Sequence, residues 1–315
     1  MASILNGKFW RDDETSTAMG GTELLAHRLV DNVDSKLLEN VEIHISRATK
    51  KDENKKQLLW VHDLAEDPAV SHLKDGGHSE YDKIIFVSHW QQQMYNKYLG
   101  VPMSKGIVIQ NAITPIEDHD KPDDGTIRLI YTSTPHRGLN ILYTVFNELS
   151  KHHKDIELDV YSSFNLYGWG SRDEPFKNIF NALEEHPHIN YHGAVSNDNV
   201  RDALKKADIF AYPSTWQETS CLSLIEAMSA SCLCLHSSLA ALPETSMLGT
   251  YIYEYSEEPN DHATRFFHNL NGLITGYKEN RENMKSLAKY KKPLVDSVYG
   301  IERFKKTWEA FLKTC

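Results

Sequence analysis

Glu218 and Glu226 are two carboxylates with seven residues between them, placed where a strand-like run gives way to a helical one. The run Ile209-Phe210-Ala211-Tyr212 is apolar enough for a buried strand, and Pro213-Ser214 breaks it. After Glu218 the pattern turns helical, with Leu222, Ile225, Ala227 and Met228. The N–H groups of a helix's first turn lack partners and point outward, and the helix dipole favours an anion there. Carboxylates beside such a turn can accept hydrogen bonds from sugar hydroxyls. A site offering both suits a ligand that carries phosphate and sugar together. Glu226 interrupts an apolar run, Leu222-Ser223-Leu224-Ile225-Glu226-Ala227-Met228, at a position where leucine is expected. A half-buried carboxylate needs a partner. A ribose diol, an arginine or a backbone N–H would serve, and spacing does not choose among them.

Arg137 sits on a turn, Ser133-Thr134-Pro135-His136-Arg137-Gly138, that follows another strand-like run. Turns at the carboxyl ends of parallel strands open onto one crevice, so this turn and the Glu218 loop can share a ligand. Arginine suits a diphosphate because its planar fork matches two oxygens and it stays charged. His136 is a second phosphate donor. A lone arginine on a turn is otherwise an ordinary surface residue. His62 ends the strand-like run 58–62 and is either a site group or a strand-end histidine. Gly20 and Gly21 precede a helical pattern in Met19-Gly20-Gly21-Thr22-Glu23. They allow positive φ and close backbone approach to a ligand, or simply a tight turn.

Other chemistries find no motif. The chain has no Gly-x-Ser-x-Gly elbow, no phosphate-loop lysine, no His-Glu-x-x-His and no Gly-x-Gly-x-x-Gly after the first strand. No Asp-x-Asp is placed to hold a divalent ion under a diphosphate. Charge on such a ligand would fall to Arg137 and to helix N–H groups. No cofactor and no metal are expected.

Strands alternate with helices along most of the chain, which predicts an α/β fold with parallel pairing and right-handed crossovers. Strands are expected at 41–46, 58–62, 82–88, 106–110, 127–132, 157–161, 189–192, 209–212 and 232–236, with Tyr251–Tyr255 following. The acidic stretch 117–125 reads as an interdomain linker. The stretch 48–57 reads as a solvated, charged connection. Residues 162–175 hold three aromatics and two glycines and read as a functional loop or a surface excursion. A helix from Asn280 is expected to break near Pro293. Ile301, Phe304, Trp308, Phe311 and Leu312 line one face of a last helix, and that face needs a partner.

The 315 residues suffice for two domains. Hydrophobic content is 40% and charged content 25%, within the soluble globular range. A net charge of −10 argues against broad binding to nucleic acid or anionic lipid. No apolar run is long enough to cross a bilayer, and no secretory signal is read at the start. Cys221, Cys232, Cys234 and Cys315 form no Cys-x-x-Cys pair and are expected to be reduced thiols in a cytoplasmic protein. Oligomeric state cannot be read.

The run 207–238, ADIFAYPSTWQETSCLSLIEAMSASCLCLHSS, resembles the signature of the GT-B glycosyltransferases, specifically the retaining enzymes of glycosyltransferase family 4. Gly20-Gly21-Thr22-Glu23 resembles that family's N-domain glycine loop, IVIQNAI its domain-closing strand with Asn111 at the Asn-Gly position, and TSTPHRGL its donor-side turn. The resemblance covers most of the chain. It implies the GT-B fold, two Rossmann-like parallel-sheet domains facing across a cleft. Residues 1–118 would form the acceptor domain, completed by the helix 300–315, and residues 125–292 the nucleotide-sugar-binding domain. It implies Glu218 on the donor sugar, Glu226 on the ribose, and Arg137, with His136 beside it, on the diphosphate. Ser214 and the N–H groups of Ser220, Cys221 and Leu222 would hold sugar or phosphate. His62 would face the transferred sugar, and Gly20, Gly21 and Asn111 would line the acceptor or phosphate loop. Ser220-Cys221 departs from the family's Phe-Gly, and no second basic residue follows Arg137.

The function so implied is metal-independent transfer of a sugar from a UDP- or GDP-type donor to a hydroxyl, with retention of configuration. The acceptor would be a glycan, a lipid-linked molecule or a small molecule. Two alternatives remain: transfer to modified bases in DNA, motivated by the short N-terminal half, and a catalytically inactive binding subunit, motivated by Ser220-Cys221.

Overall fold

The computed structural model describes residues 2–11, 20–47 and 51–315. Met19 of the glycine stretch and residues 48–50 of the charged connection lie outside them. The chain divides into two compact units, Met1–Thr114 with Val298–Cys315, and Pro115–Ser297.

The first unit is built on a six-stranded sheet. Its strands are β1 (Ala2–Leu5), β2 (Lys8–Arg11), β3 (Val41–Ile45), β4 (Lys56–Trp60), β5 (Lys83–Phe86) and β6 (Gly106–Val108), in the order β2-β1-β3-β4-β5-β6. β3 to β6 pair in parallel and correspond to the strands the sequence pattern predicts, except that β4 starts at Lys56, inside the stretch read as a solvated connection, and ends at Trp60, two residues before His62. The antiparallel hairpin β1–β2 was not anticipated. Asn6 and Gly7 form its turn with φ of 52° and 68°, the left-handed pair that suits the twist of a two-residue hairpin. Helix α1 (Gly21–Asn32) buries Leu25, Ala26 and Leu29, the short α2 (Ser35–Leu38) buries Leu38, and α3 (His89–Leu99) is capped by the Ser88 hydroxyl.

The second unit carries another six-stranded sheet. Its strands are β7 (Ile127–Thr132), β8 (Ile156–Tyr161), β9 (Ile189–Tyr191), β10 (Ile209–Tyr212), β11 (Leu233–Ser237) and β12 (Tyr251–Tyr253). All are parallel, in the order β12-β11-β10-β7-β8-β9. From β7 the chain builds outward through β8 and β9, then returns to place β10 on the other side of β7. The order therefore reverses between β7 and β10, and the carboxyl ends of strands at such a switch open a crevice. Helices α4 (Leu139–His152), α5 (Lys177–Glu185), α6 (Asn197–Leu204), α7 (Leu222–Ser229), α8 (Leu242–Thr245), α9 (Pro259–Glu279) and α10 (Arg281–Tyr299) complete the crossovers and the tail.

Two expectations about this tail are corrected. The helix from Arg281 runs through Pro293 to Tyr299 without a break. Proline costs one backbone bond, but buried Ala288 and Val295 fasten the helix on both sides of it. The acidic stretch 117–125, read as an interdomain linker, falls within the second unit, which begins at Pro115. It lies along this helix, with Asp118 paired to Lys292, Asp120 to Lys289, and Asp123 to Lys285 and Arg281. Each such exposed pair is weak, and their number fixes the path.

Helix α11 (Ile301–Leu312) belongs to the first unit and buries Phe304, Trp308, Phe311 and Leu312. Trp308 meets Trp60 at the end of β4 edge-on, with ring centroids 5.1 Å apart. The apolar face seen in the sequence thus packs on the sheet of the first unit. Among the described residues no helix is long and apolar enough to cross a membrane.

Candidate functional site

In the second unit, the loops after β7 and β10 meet at the switch point. Gly138 allows the contact. Its φ is 99°, and a Cβ there would lie 2.1 Å from the carbonyl oxygen of Pro213. Only glycine lets the two loops approach this closely. Thr215 adds a hydroxyl bond of 3.2 Å to the carbonyl of His136, and Ser223, in the first turn of α7, donates to the carbonyl of Thr132 at 2.7 Å. Turn, loop and helix start are fixed to one another.

Arg137 and Glu218 face each other there. Arg137 Nη1 donates to Glu218 Oε1 at 2.8 Å, and the Tyr212 hydroxyl donates to the same oxygen at 2.5 Å. Glu218 Oε2 accepts from none of the described residues. Glu218 is 7% exposed. Burial would pull the Arg137 pKa down, but the carboxylate of Glu218 outweighs it and holds the guanidinium charged. Three polar atoms on the same turn are buried without a partner: Thr134 Oγ1, His136 Nδ1 and Arg137 Nε. Buried polar atoms in native structures are nearly always satisfied, so a cluster of exceptions marks a place built for a ligand or water. Burial, with Arg137 and Arg172 nearby, lowers the His136 pKa to about 4, so its ring is neutral at physiological pH.

Leu222–Ser229 starts without a side-chain cap. Cys221 occupies the cap position, and its carbonyl accepts from the Ile225 N–H at 3.1 Å. Its side chain is 3% exposed, and burial raises the thiol pKa far above the usual thiol range. The thiol is thus protonated core packing, and the backbone of Ser220-Cys221-Leu222 supplies the helix start. Ser214 is fully buried and shapes the loop, its hydroxyl donating to the Trp216 carbonyl at 3.0 Å.

Glu226 lies one turn into the helix and is 4% exposed. Asn197 Nδ2 reaches its two oxygens at 3.3 and 3.2 Å, and Arg201 Nη1 stands 3.7 Å from Oε1. Of the partners left open by the sequence, an arginine is present, joined by an asparagine that the sequence reading missed.

The first unit holds the remaining candidates. His62 follows β4, its N–H donates to Ser46 Oγ at 3.0 Å, and its ring packs on Trp60 with centroids 4.6 Å apart. Burial lowers its pKa to about 3, so it too is neutral. Gln91 fixes the loop beyond it by donating to the Asp63 carbonyl at 2.9 Å. Asn111 is buried past β6. Gly20 caps α1 with a φ of −72° and Gly21 is the helix's first residue. Neither uses the left-handed backbone that the Gly-Gly pair permitted, because the helix begins directly at the pair. Tyr212 was also missed. Its signal was a phenol at the end of an otherwise apolar strand, directly before the break.

The family description "Glycosyl transferases group 1" matches residues 116–289, more than half of the chain. No curated protein matches in sequence. Among solved structures, a glycosyltransferase from Rickettsia africae is similar with a TM-score of 0.68 at 14% identity, over 97% of this chain and 83% of that one. HepE from Anabaena, solved with UDP-glucose, gives 0.62 at 12% identity over 94% and 77%. The pneumococcal O-GlcNAc transferase GtfA, solved with UDP and GlcNAc, gives 0.61 at 13% identity over 83% and 53%. The chain thus spans about half the length of GtfA. At these identities the likeness establishes the GT-B fold.

Proposed function

The chain belongs to the glycosyl transferases group 1 family, and on that premise we propose that it moves a sugar from a nucleoside-diphosphate sugar to a hydroxyl acceptor, with retention of configuration and without a metal. The observation that carries this reading is the Glu218 carboxylate. One oxygen is fixed by Arg137 and Tyr212, and the other accepts from no described residue, at the start of an uncapped helix.

The fixed oxygen orients the group and the second accepts from a sugar hydroxyl. In the transfer, the bond from the anomeric carbon to the diphosphate oxygen breaks. A bond to the acceptor oxygen forms on the same face, and the acceptor's proton passes to the departing diphosphate. Positive charge aimed at that leaving group lowers the barrier because the charge develops there. Arg137 supplies guanidinium N–H donors, its net charge offset by its pairing with Glu218, and the start of α7 supplies about half a unit charge through its N–H groups. The buried atoms Thr134 Oγ1 and His136 Nδ1 add polar contacts on the same turn. Glu226 takes the ribose hydroxyls while Asn197 and Arg201 hold it in place. His62 acts as a neutral hydrogen-bonding group toward the transferred sugar, and Gly20, Gly21 and Asn111 line the acceptor or phosphate loop. The UDP and UDP-glucose bound by the similar structures favour a uridine donor over a guanosine one.

The test is calorimetric titration of the purified protein with UDP, GDP and their sugars, followed by an assay of donor hydrolysis. A protein that binds no nucleoside diphosphate and hydrolyses no donor sinks the reading and leaves a non-catalytic binding role. The anomer of a captured product decides retention.

A further inference from the structure

Residues 162–175 are packed against the turn that carries Arg137. Phe164 stacks on His136, with ring centroids 5.1 Å apart and planes inclined by 14°. Trp216 meets the same imidazole edge-on at 4.9 Å, so His136 touches both loops. The excursion has a defined internal structure. Asp173 accepts from the Ser163 hydroxyl at 2.5 Å and from the Phe164 N–H at 2.8 Å. The Trp169 N–H donates to the Phe164 carbonyl at 3.2 Å, and the Arg172 N–H to the Trp169 carbonyl at 2.9 Å. Arg172 is therefore carried on a folded loop whose base is fastened to His136. Its guanidinium lies over the Trp169 ring, 4.3 Å from the centroid, and makes no ion pair with any described residue. The charge of Arg172 is nonetheless felt at His136, where it opposes protonation together with Arg137.

The site's charge balance gives this arginine a task. Arg137 is matched by Glu218, so the pair is neutral as a unit. A diphosphate brings a negative charge on each phosphate, and the helix start answers only part of it. We propose that Arg172 is the second cation for the donor's diphosphate, delivered by the loop 162–175 from the face of Trp169. The assignment deepens the donor-site reading given above and rests on it. Arginine suits the role because its charge persists at every pH and its fork spans two oxygens. An exposed cation–π contact holds it weakly, so little is lost when the guanidinium leaves the Trp169 ring.

The experiment compares Arg172→Ala and Arg172→Lys with the wild-type chain, titrating UDP and GDP and, in parallel, uridine and guanosine. The expected result is a loss of about tenfold or more in diphosphate affinity for Arg172→Ala, the scale of one charged hydrogen bond. Nucleoside affinity should stay unchanged, and Arg172→Lys should recover part of the loss. Equal losses for nucleoside and diphosphate, or no loss for either, would overturn the assignment, because a loop that only shapes the pocket does not distinguish them. If the wild-type chain binds no nucleoside diphosphate, the donor-site reading fails and this inference falls with it. If the wild type binds and Arg172→Ala binds equally well, this inference alone fails.

Discussion

Gly138 and Pro213 lie so close that a Cβ on the glycine would stand 2.1 Å from the proline's carbonyl oxygen. The obstacle is backbone, which cannot swing aside. Gly138→Ala should therefore separate the loops after β7 and β10. We expect a loss of at least about 2 kcal/mol in urea unfolding, from the positive φ and the clash together. Gly193 has a φ of 64° but nothing within 4 Å, so Gly193→Ala should cost only about 1 kcal/mol. Equal costs for the two would refute the close-approach account.

Arg137→Ala leaves a buried carboxylate at Glu218 with only the Tyr212 hydroxyl. The expected cost is about 3 kcal/mol, as for a broken buried pair. Arg137→Ala/Glu218→Gln should restore much of that stability while leaving UDP binding weak. The double variant separates folding from function, and a cycle of unfolding and titration measurements checks both.

Glu226 is held by Asn197 and Arg201 on one side, and its proposed ligand is a ribose diol. Glu226→Ala should reduce the affinity for uridine and for UDP by about tenfold. Arg137→Ala should reduce UDP affinity and leave uridine unchanged. Unaltered uridine binding by Glu226→Ala would assign this carboxylate to the Asn197–Arg201 contact alone.

Acid should destabilise the protein through histidines buried in the neutral form. Burial lowers the pKa of His236 to about 4, and its ring bonds to the Ser237 carbonyl and the Thr250 hydroxyl. His136 is likewise lowered to about 4, and His62 to about 3. An unfolded histidine takes up its proton near pH 6.5, and these folded ones do so only near pH 4 or below. Between those values the unfolded chain holds more protons, so stability falls as pH falls. Each histidine adds up to about 1.4 kcal/mol per pH unit. Above about pH 6.5 all are neutral in both states and this dependence vanishes. His236→Gln should flatten the slope between pH 6 and about pH 4.5 in a series of denaturant titrations.

Trp308→Ala removes the ring that meets Trp60 and should cost about 3 kcal/mol or more. The loss should appear in the unfolding of the first unit, leaving UDP binding by the second intact, as read by Trp fluorescence alongside titration.

The sequence made the regular elements legible where a period was strong. β7 was bounded to the residue, because a largely apolar run ending at a turn defines it. The hairpin β1–β2 was missed although Asn6-Gly7 is a strong turn signal, since Lys8–Arg11 shows little alternation. The continuity of α10 through Pro293 was hidden because packing, which fixes it, leaves no local mark. The candidate site was legible as residues and not as contacts. Glu218, Glu226 and Arg137 stand out by type and position. Their partners Tyr212, Asn197 and Arg201 depend on strand order, and the return of β10 beside β7 is a property of the whole sheet. Arg172 was hidden for the same reason: its loop leaves β8, next to β7, and only that adjacency brings it to His136.

The first unit is assembled from two segments separated by the whole of the second. During synthesis, Trp60 emerges long before Trp308 exists to cover it. The second unit is continuous, so it can complete its sheet while the first still exposes one face of β4. The strands of the first unit, made before the helix that covers them, are thus the last part of this pair of units to finish folding. In the interval these apolar strands are the surface a chaperone, or another nascent chain, would meet.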